Sequence, residues 1–296
     1  MTQTFTQMLY YNNMRTKKIH KNMVVIDVGA ASGEFTKHIL KTYENVFVLM
    51  VEPNIAINDV PLSKIEFSSN KRAKKFMFAL GKSNGIAQLY GSRTFNGQLG
   101  SLHKFNTKRN FDESVSEKID YSELSKGIAV ETRTIQSFSQ ENFLNKIDFL
   151  KIDTQGTDLD LLEDFLSITD VRCLVVEVTG SVIPEHNTYL GNDNSMQRLY
   201  RIAESFNLKT LKIIPATTDT DEFNVFMAKN LKEGKAIIEK LYISKSVTFG
   251  RHWRVLGIGE TVGDNAKRNR MVFIKAFQAL KHPRVSMASA IRKLTS

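Results

Sequence analysis

Three acids stand where apolar runs stop. In "MVVIDVGA" (23–30) Asp27 comes two residues before Gly29, "VFVLMVEPN" (46–54) stops at Glu52 ahead of Pro53, and "IDFLKIDTQ" (147–155) stops at Asp153. Continuous apolar runs are what strands buried on both faces look like, so each acid is expected at the carboxyl end of a parallel strand. After Asp27 the chain reads Gly29-Ala30-Ala31-Ser32-Gly33. Glycines at those positions allow a tight turn and close approach of a ligand, and the helix that follows offers N-terminal amides. Glu52 lies 23 residues beyond Gly29, near the ~20 at which an acid accepts hydrogen bonds from ribose hydroxyls in dinucleotide-binding folds. The plain alternative is a strand-to-helix turn that happens to hold two glycines.

Other residues could move protons. His186 lies in "TGSVIPEHNTYLG", the loop after a strand that ends near Thr179, and His103 lies in "GSLHKF". A histidine has the best ordinary pKa for a base near neutrality. Glu177 sits inside that same strand and faces either the cleft or a buried partner. Asp158 opens the helical pattern "DLDLLEDFLSI", where a first-turn acid is favoured by the helix dipole alone. Asp153, Asp158 and His186 could supply metal ligands, but the chain has no dense ligand motif and no metal is expected.

These groups need a frame. Helical spacing in "GEFTKHILKTY" (33–43), 158–168 and "MQRLYRIAESFN" (196–207) alternates with apolar runs at 23–30, 46–54, 147–155 and "CLVVEVTG" (173–180). "KFMFALGKSNGIAQLYGS" (75–92) reads as two strands returning across a Ser-Asn-Gly turn, and "LKTLKIIPA" with "EFNVFMAKN" as a closing hairpin across Thr217–Asp221. Residues 55–73 carry a weak helical signal and 93–128 read as a polar loop or insertion. The alternation predicts an α/β fold, a doubly wound, mostly parallel seven-stranded sheet of Rossmann-like form. Ligands in such sheets sit beyond the carboxyl ends of the strands.

Composition limits the rest. The chain has 296 residues, 42% of them hydrophobic, enough for one large domain with an appendage. Its single cysteine, Cys173 in an apolar run, excludes an internal disulfide and reads as a core residue of a protein in a reducing compartment. No apolar stretch approaches the ~18 residues of a membrane span, and residues 1–13 do not read as a secretory signal. Cytoplasmic residence is expected. The net charge is +10, and residues 231–296 hold 14 Lys and Arg against 4 Asp and Glu, so the excess lies in that segment. Within it "DNAKRNRMVFIKAFQALKHP" (264–283) reads as a helix with Phe273, Phe277 and Leu280 on one stripe. It could dock on its own domain or a second copy, lie on an anionic membrane face, or bind nucleic acid. The expected divisions are an N-terminal helical or lid segment (1–22), a catalytic domain (23–230) and a basic, partly helical C-terminal extension (231–296).

The turn after Asp27 fails the G-x-G-x-x-G pattern of nicotinamide sites, because Ala31 and Glu34 stand where glycines are needed. It resembles instead motif I of class I S-adenosylmethionine (SAM) methyltransferases. The ordered set "VVIDVGAASGEF", "VEPN", "FALGKSNGIAQLYGS", "KIDTQGTDLDLL" and "FNVFMAK" resembles the FkbM family of these enzymes over residues 23–230. The family often has Glu before the glycine where this chain has Gln155, and Glu where it has Asp158. The resemblance implies SAM as cofactor, with Asp27, Gly29, Ala31 and Ser32 around its methionine part, Glu52 on the ribose and Ala79-Leu80 beside the adenine. It implies Asp153 near the sulfonium and the incoming nucleophile. It also implies O-methylation of a sugar or natural-product hydroxyl, for which Asp153 and His186 are the catalytic candidates. The alternatives are a nucleic-acid methyltransferase, suggested by the basic segment, and a SAM-binding interaction protein without turnover.

Overall fold

A computed structural model describes residues 23–53, 71–91, 100–106, 124–179, 189–191, 193–215 and 222–242. The N-terminal segment, His186, the Thr217–Asp221 turn and the helix expected at 264–283 lie outside the described residues.

Among the described residues, twelve strands and five helices follow one another as β1 (Met23–Val28), α1 (Glu34–Thr42), β2 (Val46–Val51), β3 (Ala73–Phe76), β4 (Ala79–Leu80), β5 (Gly85–Tyr90), β6 (Gly127–Arg133), α2 (Ile135–Glu141), β7 (Lys146–Ile147), β8 (Phe149–Ile152), α3 (Asp158–Ile168), β9 (Asp170–Val171), β10 (Cys173–Thr179), α4 (Met196–Ser205), β11 (Lys209–Pro215), β12 (Glu222–Ala228) and α5 (Leu231–Tyr242). Seven strands form the main sheet in the order β11-β12-β10-β8-β1-β2-β3. Neighbours from β3 to β10 are parallel, while β12 runs antiparallel between β10 and β11. The chain winds outward from β1 to β3 and then returns to β8 on the other side of β1. The gap between β1 and β8 is therefore the topological switch point, where such sheets take ligands.

Alternate residues of each strand feed opposite layers. Ile26, Leu49, Leu150, Val176 and Val225 pack with Phe138, Leu162, Phe165 and Leu199 of α2, α3 and α4. Val25, Val48, Phe149, Val175 and Phe226 pack with Phe35, Ile39, Ile237 and Leu241 of α1 and α5. Cys173 belongs to this second layer and is buried, and burial pushes its thiol up to about 12. Among the described residues, no helix is long and apolar enough to cross a membrane.

Two readings change. The strands flanking Ser83-Asn84-Gly85 do not pair with each other. β6 lies between them, parallel to β4 and antiparallel to β5. The turn residues mark a crossover, because the apolar side of each flank, Ala79 and Leu89, packs on Val130 of β6. The second concerns α5, which the sequence reading grouped with the basic extension. Asn230 caps it by accepting the amides of Lys232 and Glu233. Its Ile237 and Leu241 are buried on the sheet, Arg172 pairs with its Glu233, and the Leu241 carbonyl meets His38 Nε2 of α1 at 3.0 Å. The sheet's cover therefore runs to residue 242, past the expected boundary at 230.

Candidate active site

The switch point is crossed by an ion-pair chain. Asp27 of β1 and Lys151 of β8 are direct register partners, so their side chains leave the same face of the sheet. The Lys151 ammonium lies 3.2 Å from Asp27 Oδ1 and 3.5 Å from Asp153 Oδ2, and donates to the Gly29 carbonyl at 3.1 Å. Asp27 Oδ2 accepts the Thr36 hydroxyl of α1 at 2.8 Å. Asp27 is fully buried, so it stands beneath the turn that follows β1. Burial alone would lower the Lys151 pKa, but the two flanking carboxylates, Asp27 first, raise it well above an ordinary lysine. Lys151 stays charged and counters two acids at once.

The turn after β1 is shaped by close approach. Gly29 has φ 71°, and a Cβ there would run into the Asp153 carbonyl oxygen. Only glycine permits this contact between the two strand ends. Ala31 also takes a left-handed φ, 45°, and its amide donates to Glu52 Oε2 at 2.8 Å. Glu52 thus ties the end of β2 to the turn after β1. Gly33, φ 76°, caps α1 without a side-chain hydrogen bond, and Ser32 beside it is half-buried. Ala79 and Leu80 are buried in the short strand β4, just past the end of β3.

Asp153 is half-buried, its amide held by the Val28 carbonyl at 3.1 Å. Beyond it the chain makes the tight turn that its Gly suggested. Gln155 has φ 57° and Gly156 φ 118°. Asp158 holds this turn from the start of α3, accepting the amides of Thr154 at 2.7 Å and Gly156 at 2.8 Å. Asn194 adds a third donor to Asp158 at 3.2 Å. Asp158 is therefore a turn organiser, and burial pushes its carboxyl up to about 6 against the pull of those amides.

Gln155 joins elements that the sequence keeps apart. Its Nε2 donates to Asp153 Oδ1 at 3.0 Å and to Glu177 Oε2 of β10 at 3.1 Å, while its Oε1 accepts the Tyr189 hydroxyl at 2.6 Å. The Tyr189 ring packs on Phe105 with centroids 5.0 Å apart, and also walls Gly156, where a Cβ would lie 2.9 Å from the ring. Burial and then the neighbouring acids, Asp153 foremost, raise the Glu177 carboxyl well above its usual range. Burial likewise raises the Tyr189 phenol.

The crevice thus brings together Asp27, Gly29, Ala31, Glu52 and Asp153. His103 lies near Leu190, Asp160 and Lys82, with its pKa lowered by burial. Sequence reasoning missed Lys151, Gln155 as a bridge and Tyr189. A lysine inside a strand whose every residue is buried was the available signal, since such a charge must be paired. Among the described residues, no group of three or more His, Cys, Asp or Glu is placed to hold a metal ion.

The methyltransferase FkbM domain family matches residues 27–211. No curated protein matches the chain significantly. Solved structures with a similar course include an O-methyltransferase family 2 protein from Planctomyces limnophilus in complex with apigenin, at 11% identity and TM-score 0.35, covering 73% of this chain and 53% of that one. They include magnesium protoporphyrin IX methyltransferase from Synechocystis with bound S-adenosylhomocysteine, at 8% identity and TM-score 0.34, covering 77% and 83%. A third is the Burkholderia thailandensis 1,6-didemethyltoxoflavin-N1-methyltransferase, at 10% identity and TM-score 0.36, covering 71% and 72%. The chain spans about half the length of the first of these.

Proposed function

The chain belongs to the FkbM methyltransferase family, whose cofactor is S-adenosyl-L-methionine, and on that premise we propose that it methylates a hydroxyl oxygen of a sugar or related natural product. The observation that carries this reading is the meeting of three strand ends at the switch point. The glycine turn is seated against Asp153, and Glu52 is bonded into the same turn. The residues present fit the cofactor. The uncapped start of α1 offers amides to its carboxylate. Glu52 suits the ribose diol. Asp153, with Glu177 behind it, gives the crevice an acidic wall suited to a sulfonium.

The bound cofactor would supply an electrophilic methyl group. The protein's own work is then positioning and exclusion of water, since transfer is an in-line displacement. Gly29, Ala31 and Ser32 would hold the methionine part. Ala79 and Leu80 would wall the adenine, and Asp153 would orient the incoming hydroxyl. Asp27 and Lys151 would keep Asp153 in place from beneath. Cytoplasmic residence and attachment to an anionic membrane face belong to the same proposal.

Calorimetric titration with SAM tests the cofactor reading. Gly29→Val and Glu52→Ala are each expected to weaken binding at least ~10-fold, about 1.4 kcal/mol. Affinity unchanged in both variants would overturn it. The basic charge of 231–296 favours a second reading, methylation of nucleic acid. S-adenosylhomocysteine formed with RNA or DNA but not with glycans would select that one.

A further inference from the structure

We propose that Glu177, linked to Asp153 through the Gln155 amide, takes the proton of the acceptor hydroxyl, and that Tyr189 is the positioning residue that fixes this link. The inference rests on the methyltransferase reading above and adds the proton acceptor to it.

The geometry sets each role. The Tyr189 hydroxyl donates to Gln155 Oε1, and a flipped amide would turn that oxygen on the carboxyl oxygens of Asp153 and Glu177. Its nitrogen must therefore face the carboxylates, with one N–H toward Asp153 and one toward Glu177. A left-handed φ at a residue that is not glycine is strained, and Gln155 keeps it because Asp158 pins the amides on either side. The bridge engages Glu177 Oε2. Asp27, Lys151 and Glu177 are set on strands whose odd-numbered residues share the α1 face, and Glu177 lies two residues from the end of β10. It is thus on the crevice side, at the edge where Asp153 emerges.

The groups around Glu177 explain its proton. Asp153, Asp158 and Glu222 stand near it as acids, Tyr189 as a phenol, and Lys151 as a cation. Acids dominate this set, so Glu177 retains a proton more readily than an ordinary glutamate. A positive sulfonium entering the crevice reverses that balance and ionises it. The ionised carboxylate then accepts the hydroxyl proton. The acceptor oxygen forms its bond to the methyl carbon as the C–S bond breaks, with the bonding pair left on sulfur. Charge and atoms balance with no further reactant, and the site returns to its protonated form.

The ionisation can be measured without an acceptor. The full chain is titrated with SAM, and separately with S-adenosylhomocysteine, in buffers of different ionisation enthalpy between pH 6 and 8, which counts protons released on binding. Wild type is expected to release more protons with SAM, whose sulfur is cationic, than with S-adenosylhomocysteine, whose sulfur is neutral. Glu177→Gln is expected to abolish the difference and to weaken SAM several-fold more than S-adenosylhomocysteine, as linkage requires, and His186→Gln to preserve the difference. Tyr189→Phe, which leaves the ring but frees the amide, is expected to shift the pH at which the difference is half-maximal. A Glu177→Gln protein that binds SAM and still shows the wild-type difference would overturn the assignment, as would the absence of any difference in wild type. Failure of wild type to bind SAM at all would instead remove the cofactor reading, and this inference with it.

Discussion

At the scale of single residues, Lys151 is a buried cation shared by two acids. It neutralises a fully buried Asp27 and a half-buried Asp153. Removing one partner of a buried pair strands the other charge, which costs ~3–5 kcal/mol. Lys151→Met is therefore expected to lower unfolding free energy by that order in urea titrations at pH 7, and a loss under 1 kcal/mol would speak against the ion-pair account. The acids on the far side of the crevice have the opposite character. Glu177 is held above the ordinary carboxyl value of 4.5, and Asp158 is pushed to about 6. A carboxyl raised by folding contributes its full share below its unfolded value, and that share is lost as pH rises through the folded one. Ligand-free protein is thus expected to melt at progressively lower temperature from about pH 4.5 upward. Glu177→Gln should flatten part of that slope and leave the part due to Asp158, as thermal melts across pH would show. The acids at 27, 52 and 153 were legible in the sequence because each ends an apolar run. Lys151, Gln155 and Tyr189 were not, because their meaning lies in register and in contacts such as the one between Gln155 and Tyr189, 34 positions apart.

At the scale of elements, strands and helices with a clear period were readable to within a few residues. α3 was expected at 158–168 and spans Asp158–Ile168. The misread element was the pair around Ser83-Asn84-Gly85. A turn signal reports that the chain bends, while the partner of each flank depends on what else can bury its apolar side. Here that partner is β6, which comes after a long polar stretch. α5 presents a sharper consequence. It covers Cys173, Phe226 and Ala228 with Ile237 and Leu241, and burying two such side chains is worth ~3–6 kcal/mol. That approaches the whole stability of many domains, ~5–15 kcal/mol. A chain ending at 230 is therefore expected to aggregate, and one ending at 242 to melt cooperatively. Equal solubility and melting temperature for the two would refute the packing role of α5.

At the scale of the whole molecule, charge is divided as sharply as structure. The net +10 sits in residues 231–296, and the preceding 230 residues are balanced. Attraction of such a segment to an anionic surface is screened within a Debye length of ~10 Å at 0.1 M salt. The full chain is expected to sediment with phosphatidylserine vesicles at low salt and to release at high salt, and the chain ending at 242 to remain in the supernatant. Retention by both chains alike would detach membrane affinity from the basic segment. The sheet order has a consequence of another kind, felt during synthesis. The Gly29 carbonyl and the Lys151 ammonium that donates to it are 122 positions apart, although their strands are neighbours in the sheet. At ~5–20 residues per second, the first strand waits roughly 6–25 s on the ribosome before the strand that closes its other side is made. During that interval an apolar strand edge and an uncompensated Asp27 are both present on the nascent chain. A translational pause that delays the emergence of residues 149–152 is therefore expected to lengthen that exposure, and with it the capture of the nascent chain by chaperones.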